Sequence, residues 1–91
     1  MEEEREFQTE TKDLFTLIVA EHIRDKRRAL HLTQEQLAER AKIDEKHLGR
    51  IERAEKSPSS HTFANLTLAL QLSADEIIKA YDEAVNKLKR E

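Results

Sequence analysis

Residues 32–53 read LTQEQLAERAKIDEKHLGRIER, and this stretch decides how the chain folds. Thr33 is a strong N-cap because its hydroxyl can accept a free backbone N–H, and Gln36 stands where it completes a capping box. Leu37, Ala38 and Ala41 then give the following residues one apolar face at helical spacing. The pattern predicts a helix over about residues 34–42.

A second short helix is expected after a tight turn. Ile43 fills the turn, and Asp44 caps a helix over about residues 45–54 whose inward side chains are Leu48 and Ile51. The other side chains of this helix lie mostly on its outer surface: Glu45, Lys46, His47, Gly49, Arg50 and Arg53. Two helices so closely joined, with long cationic side chains outside the second, indicate a helix-turn-helix DNA reader over residues 34–54.

The rest of the chain predicts three further helices, so we expect an all-α fold of five helices. With one Gly and one Pro in 91 residues, signals for strands and hairpins are scarce. The first helix is expected from about residue 11 or 12 to residue 30. The fourth helix is expected over about residues 62–70, after a cap at Ser59 or Ser60, and the fifth over about residues 74–89. The expected inward residues are Val19, Ile23 and Leu30 in the first helix and Phe63, Leu66, Ala69 and Leu70 in the fourth. Acidic residues 1–11 are expected to form a flexible segment before one domain over residues 12–91.

Composition and charge narrow the kind of protein. The chain has no Cys, which excludes disulfides and thiolate metal sites and suits the cytoplasm. No apolar run approaches the ~20 residues of a membrane span, so we expect no membrane partner. The net charge is −3, but residues 22–56 carry ten basic and seven acidic side chains, a local excess of +3. Positive charge is therefore concentrated where the two-helix motif would meet phosphates.

A set of residues between Val19 and Ile78 carries a resemblance to a known family: Arg27, Leu32-Thr33-Gln34, Leu37-Ala38, Ala41, Ile43, Leu48, Arg50-Ile51-Glu52-Arg53, Pro58-Ser59, Phe63, Leu66, Ala69-Leu70, Leu72-Ser73 and Asp75-Glu76-Ile77. With them the chain resembles the Cro/C1-type (XRE-like) helix-turn-helix regulators. The resemblance implies a five-helix, lambda-repressor-like DNA-binding domain, here with extended first and last helices. It also implies binding to operator DNA, usually as a two-fold dimer.

The resemblance assigns roles to individual side chains. Glu45, Lys46 and Arg50 fall where the family reads base edges, and His47 lies where bases or phosphates are touched. The phosphate-binding candidates are Gln34, Arg40, Arg53, Lys56, Ser57 and Ser59. Ser59 could equally be a helix cap and nothing more. Arg27 and Glu52 occupy positions that form a buried ion pair in many members of the family.

The chain departs from the family at its turns and in its second motif helix. The family favours Gly at the turns, whereas this chain has His31, Lys42, Ala54 and Gln71 there. If these residues adopt positive φ, each carries a steric cost that Gly would avoid. Conversely, Gly49 lies inside the expected reading helix, where Gly costs about 1 kcal/mol of helix propensity.

Apolar residues near the chain ends predict an interface. Helix 5 carries an apolar stripe, and Leu68 is apolar where helix 4 would normally face water. We expect a homodimer interface built by Leu68, Ile78, Tyr81, Val85 and Leu88 together with the start of helix 1 (Leu14, Phe15 and Ile18), with residues 74–89 as the dimerisation element. The alternative is that the two long terminal helices pack on each other within one chain.

The sequence favours a binding protein over an enzyme. It contains no phosphate-binding Gly-rich loop and no catalytic constellation, and its His residues lack metal-ligand spacing, so we expect no cofactor and no metal. We predict a transcriptional regulator that binds double-stranded DNA, with a protein co-regulator as a further candidate partner. A phage-type repressor, a restriction-modification controller and a stand-alone bacterial regulator all fit this prediction. The alternative is a protein-interaction module, such as an antitoxin or anti-repressor, that uses the same fold.

Overall fold

The structure is a computed structural model that describes the backbone of residues 2–90 and the side chains of residues 14–90. Within these residues it contains five α-helices and no strand: α1 (Glu2–Ala29), α2 (Gln34–Ala41), α3 (Glu45–Glu52), α4 (Ser60–Leu70) and α5 (Ala74–Arg90). The prediction of an all-α, five-helix fold is confirmed. The bounds of α2 to α5 lie within two residues of those expected.

Helix α1 begins earlier than predicted, at Glu2 instead of near residue 11. Residues 2–11 include no Gly or Pro, so nothing in their sequence interrupts a helix. The prediction that residues 1–11 form a flexible segment stays a prediction, because the side chains of this segment lie outside the described residues.

Short polar side chains define where three of the helices begin. At α2 the Gln36 N–H donates to Thr33 Oγ1 at 3.0 Å, and the Thr33 N–H donates to Gln36 Oε1 at 2.9 Å, which is the predicted capping box. At α3 the Lys46 N–H donates to Asp44 Oδ2 at 3.1 Å. At α4 the Thr62 N–H donates to Ser59 Oγ at 3.1 Å. These caps satisfy N–H groups that the helices themselves leave without partners.

The core lies where α1 packs against α3, α4 and α5 while α2 packs against α3 and α4. Its largest fully buried side chains are Val19, Ile23, Leu37, Leu48, Ile51, Leu66, Leu70 and Ile77. One predicted core residue is wrong: Leu30 is 42% exposed, and Leu32 is buried in its place. The reason is that α1 ends at Ala29 and His31 adopts a left-handed conformation (φ 58°), which reverses the chain and turns the next residue inward.

Left-handed residues end the helices at all four turns. His31, Lys42, Ala54 and Gln71 have φ between 54° and 59°, and none of them is Gly. At the end of α4 the Gln71 N–H donates to Leu68 O at 3.2 Å, and the Leu72 N–H donates to Thr67 O at 2.9 Å. These bonds supply partners to the last carbonyls of the helix and require the left-handed geometry at Gln71.

A buried ion pair joins α1 to α3. Arg27 Nε donates to Glu52 Oε2 at 2.7 Å, and Arg27 Nη2 donates to Glu52 Oε1 at 3.0 Å. The Glu52 side chain is 3% exposed and that of Arg27 is 12% exposed, so the pair is largely shielded from water. Arg27 Nη1 also donates to Leu32 O at 2.8 Å, which ties the α1–α2 turn to the same guanidinium.

Replacing Arg27 with Ala should destabilise the protein by about 3–5 kcal/mol, because the Glu52 carboxylate would remain buried without its partner. Urea unfolding followed by circular dichroism measures the change. Arg28→Ala is the matched control, since Arg28 lies in the same last turn of α1 but is exposed. If Arg27→Ala and Arg28→Ala unfold at the same urea concentration, the pair does not hold the fold together.

Replacing Gln71 with Gly should stabilise the protein by about 0.5–1 kcal/mol. The left-handed conformation costs a residue with a Cβ about 1–2 kcal/mol, and the greater freedom of Gly in the unfolded chain offsets part of the gain. Gln71→Ala is the control because it removes the polar side chain and keeps the Cβ. Thermal unfolding should rank the Gly variant above both the Ala variant and the wild type, and any other order contradicts a strained turn.

Candidate nucleic-acid interface

An open groove of about 560 Å³ runs between the start of α2 and the outer face of α3. Seven residues line it: Gln34, Asp44, Glu45, Lys46, Gly49, Arg50 and Arg53. The groove forms because the short turn between the helices places the N-terminus of α2 beside α3.

Three of the four side chains predicted to read bases meet in this groove. Glu45, Lys46 and Arg50 are all exposed on the outer face of α3, while its inner face is buried through Leu48 and Ile51. His47 is half-buried and does not line the groove. Because the inner face of α3 is fixed in the core, the side chains of Glu45, Lys46 and Arg50 are held on the surface and point in a common direction.

Lys46 and Arg50 form a concentrated positive site. They are four residues apart on one helix, so their side chains are neighbours, and like charges at this spacing repel each other. Neither forms an ion pair with a carboxylate among the residues whose side chains are described. An anionic partner placed against both would relieve this repulsion.

Gln34, the predicted phosphate ligand at the start of α2, already has a partner within the chain. Its side-chain amide donates to Glu52 Oε1 at 3.1 Å, the same oxygen that accepts from Arg27 Nη2. The side chain therefore lies at the edge of the groove in a fixed position rather than free in solvent. Sequence reasoning assigned Gln34 a phosphate role and did not find this contact.

Arg53 lines the groove but is also paired. Its Nε donates to Glu55 Oε2 at 2.7 Å, and its Nη2 donates to Glu55 Oε1 at 3.4 Å. The bond from Arg53 lowers the pKa of Glu55, partly opposed by desolvation, and the charges of Arg53 and Arg50 lower it further. The same bond raises the pKa of Arg53. Glu55 is therefore ionised at neutral pH and neutralises part of the charge that Arg53 brings to the groove.

Sequence reasoning gave Glu55 no role. A signal was present, since Glu55 stands two residues after Arg53, across a turn position where the family favours Gly, and Ala54 adopts positive φ in the structure. Gly49, which was expected on the outer surface of α3, is buried and lies in the lining of the groove.

The remaining phosphate candidates lie outside the groove. Arg40 lines a separate surface depression with Gln36, Glu39 and Lys42. Lys56 is exposed and Ser57 is half-buried in the loop between α3 and α4. Ser59 caps α4, and its hydroxyl also donates to Thr62 Oγ1 at 3.1 Å, so its side chain is engaged in the helix start.

The residues predicted to form a dimer interface divide into two groups. Leu68 is 77% exposed and Ile78 is 52% exposed, so both present apolar surface to solvent. Tyr81 instead packs edge-on against Phe15 of α1, with ring centroids 5.2 Å apart, and Val85 and Leu88 are half-buried on the same helix. The Tyr81 contact therefore agrees with the alternative expectation, in which the two terminal helices pack on each other within one chain. Leu68 and Ile78 are not covered in this way.

Comparison with known proteins places the chain in a family. A helix-turn-helix family profile matches residues 23–77. The fold is similar to that of the clp gene regulator ClgR from Corynebacterium glutamicum, with a TM-score of 0.70 and 21% sequence identity over 84% of this chain and 81% of that chain. No curated protein matches in sequence. No helix among the described residues is long and apolar enough to cross a membrane. Since the profile match spans more than half of the 91 residues, the chain belongs to the Cro/C1-type (XRE-like) helix-turn-helix family.

Proposed function

We propose that this protein is a sequence-specific, double-stranded DNA-binding transcriptional regulator. The observation that carries the proposal is the outer face of α3, where Glu45, Lys46 and Arg50 are exposed together while the opposite face is anchored in the core. A helix presented in this way fits the major groove, and its first residues reach the base edges. Binding to genomic DNA would place the protein in the cytoplasm.

The side chains on α3 suit discrimination between bases. Arg50 can donate two parallel hydrogen bonds to O6 and N7 of guanine, and Lys46 can donate to the same atoms. Glu45 can accept from N4 of cytosine. A carboxylate is a poor neighbour for phosphates, so Glu45 lowers general affinity for DNA and favours sites where its hydrogen bond is satisfied.

The N-terminus of α2 is placed to hold the sugar–phosphate backbone. The positive end of the helix dipole favours an anion there, and Gln34 lies at this end with its side chain fixed by Glu52. Exposed Lys56 and half-buried Ser57 extend the same role into the loop after α3, and Arg53 and Arg40 supply further positive charge. These contacts would set the register of the protein on DNA without reading sequence.

A homodimer would bring two reading helices to one operator. Leu68 and Ile78 supply the uncovered apolar surface, and the half-buried Val85 and Leu88 on α5 would add only the part of their side chains that remains accessible. Two-fold symmetry would place the α3 helices about 34 Å apart, which matches half-sites one turn of DNA apart. A repressor could then act by occupying the operator.

Base-reading and backbone-binding variants should behave differently in a selection of operator sequences at several salt concentrations. Arg50→Ala and Lys46→Ala should each cost about 1–3 kcal/mol on the preferred site and relax the preference at particular base pairs. Lys56→Gln should weaken binding to all sequences alike and reduce the salt slope by about 0.9.

Arg28→Gln is the matched control, because Arg28 is exposed at the end of α1, outside both the groove and α5, and its loss removes the same charge. Equal sequence preference for Arg50→Ala and the wild type would contradict the assignment of α3 as the reading helix. Failure of the wild-type protein to enrich any sequence would contradict the proposed function itself.

Sedimentation equilibrium at micromolar concentration should show a dimer that Leu68→Glu and Ile78→Glu each dissociate, because a charge on this surface would be buried on association. Leu30→Glu is the matched control, since Leu30 is 42% exposed just after the end of α1 and is not part of the proposed interface. A wild-type protein that stays monomeric contradicts the dimer. A stoichiometric complex with another protein, without DNA binding, would instead support the antitoxin or anti-repressor alternative.

A further inference from the structure

The Arg53–Glu55 pair occupies the part of the guanidinium that is best suited to a phosphate. The Nε and Nη2 groups of an arginine form a fork that takes the two oxygens of a carboxylate or phosphate side by side. Both are used by Glu55, at 2.7 Å from Nε and 3.4 Å from Nη2. A DNA phosphate and the Glu55 carboxylate would therefore compete for the same two donors.

The backbone after α3 holds Glu55 in this position. Ala54 adopts a left-handed conformation (φ 59°), which folds the chain back over the end of the helix. The Ala54 N–H then donates to Ile51 O at 3.0 Å, and the Glu55 N–H donates to Arg50 O at 2.9 Å. These two bonds keep the Glu55 carboxylate close to Arg53 and within the field of Arg50.

Gly49 leaves room for Nη1, the remaining nitrogen of the Arg53 guanidinium, beside the groove. A Cβ built on Gly49 would lie 3.1 Å from Arg53 Nη1, closer than ordinary van der Waals contact. Because Gly49 has no side chain, Arg53 can fold back across α3. The Nη1 atom of Arg53 then lies over the groove, and its Nε and Nη2 atoms point to Glu55.

We infer that Glu55 acts as an intramolecular substitute for a DNA phosphate, which masks Arg53 in the free protein and lowers its affinity for every DNA sequence. The inference rests on the proposed function, since it concerns the same surface. The mask is reversible because both side chains are more than half exposed, and exchange of one anion for another needs no change in the fold. The affinity is lowered equally for every DNA sequence, because a contact to a phosphate does not distinguish between bases.

Glu55→Gln tests the mask. The variant should bind a short duplex of arbitrary sequence and the selected operator about five to ten times more tightly at 0.1 M salt, and its salt slope should steepen by about 0.9, as expected for one added phosphate contact. The ratio of the two affinities should not change. Glu21→Gln, an exposed glutamate on α1 outside the groove and outside α5, is the control for the loss of one negative charge and should bind like the wild type.

The double variant Arg53→Gln/Glu55→Gln decides whether Glu55 acts through Arg53. It should bind like Arg53→Gln alone, because no guanidinium remains to be released. If Glu55→Gln tightens binding equally in the Arg53→Gln background, Glu55 repels phosphates directly and the mask is overturned. An unchanged salt slope for Glu55→Gln overturns it as well.

A measurement without DNA separates this inference from the proposed function. In the free protein, Glu55→Gln should shift the NMR resonance of the Arg53 Nε–H, since its acceptor changes from a carboxylate to an amide. An unshifted resonance shows that the pair does not form and overturns the mask alone. A wild-type protein that binds neither duplex overturns the proposed function, and the mask falls with it.

Discussion

The structure depends on one buried carboxylate. Glu52, at the end of α3, accepts hydrogen bonds from Arg27 of α1 and from Gln34 of α2, so a single side chain joins three helices. A charge this deeply buried is tolerated only when its partners are well placed, and the fork of Arg27 meets both of its oxygens. The position of α3 relative to α1 and α2 is therefore set by the need to satisfy this group. The outer face of α3 takes its orientation from the same contacts.

The chain has its one glycine inside α3, whereas its four left-handed turn positions are occupied by residues with a Cβ. Placing glycine in a helix and other residues at positive φ is unfavourable at each position taken alone. The low helix propensity of Gly49 is accepted for a local reason, since a Cβ at this position would lie too close to the Arg53 guanidinium. The left-handed turns are held by the hydrogen bonds that close the ends of the helices and by burial of the apolar residues Leu32 and Ile43, which follow two of them.

Charge on the proposed DNA-facing surface is mixed in sign. Lys46 and Arg50 lie beside Glu45 and Asp44 in one groove, and Glu55 neutralises Arg53 at its edge. A uniformly basic surface would bind any nucleic acid strongly, because phosphate contacts are independent of sequence. If this surface binds DNA as proposed, carboxylates among the cations would reduce this general attraction and would leave a larger share of the binding free energy to hydrogen bonds with particular bases. The net charge of −3 for the whole chain is consistent with such a balance.

The amino-acid sequence by itself determined α2 to α5 to within two residues and the caps of α2, α3 and α4, because these depend on residues close together in the chain. It marked the four turn positions that lack the Gly favoured by the family, and the structure showed that all four are left-handed. Thr33 with Gln36, Asp44 with Lys46, and the apolar spacing of Leu48 and Ile51 act within one or two helical turns. Only the tertiary structure decided which side chains meet across elements: Leu32 is buried instead of Leu30, Tyr81 packs on Phe15, and Gln34 donates to Glu52. Periodicity shows which face of a helix is apolar, but the partner of a long side chain depends on how the chain reverses between helices. For the same reason the sequence identified Arg53 as a cation of the site, and only the folded turn at Ala54 brought Glu55 onto it.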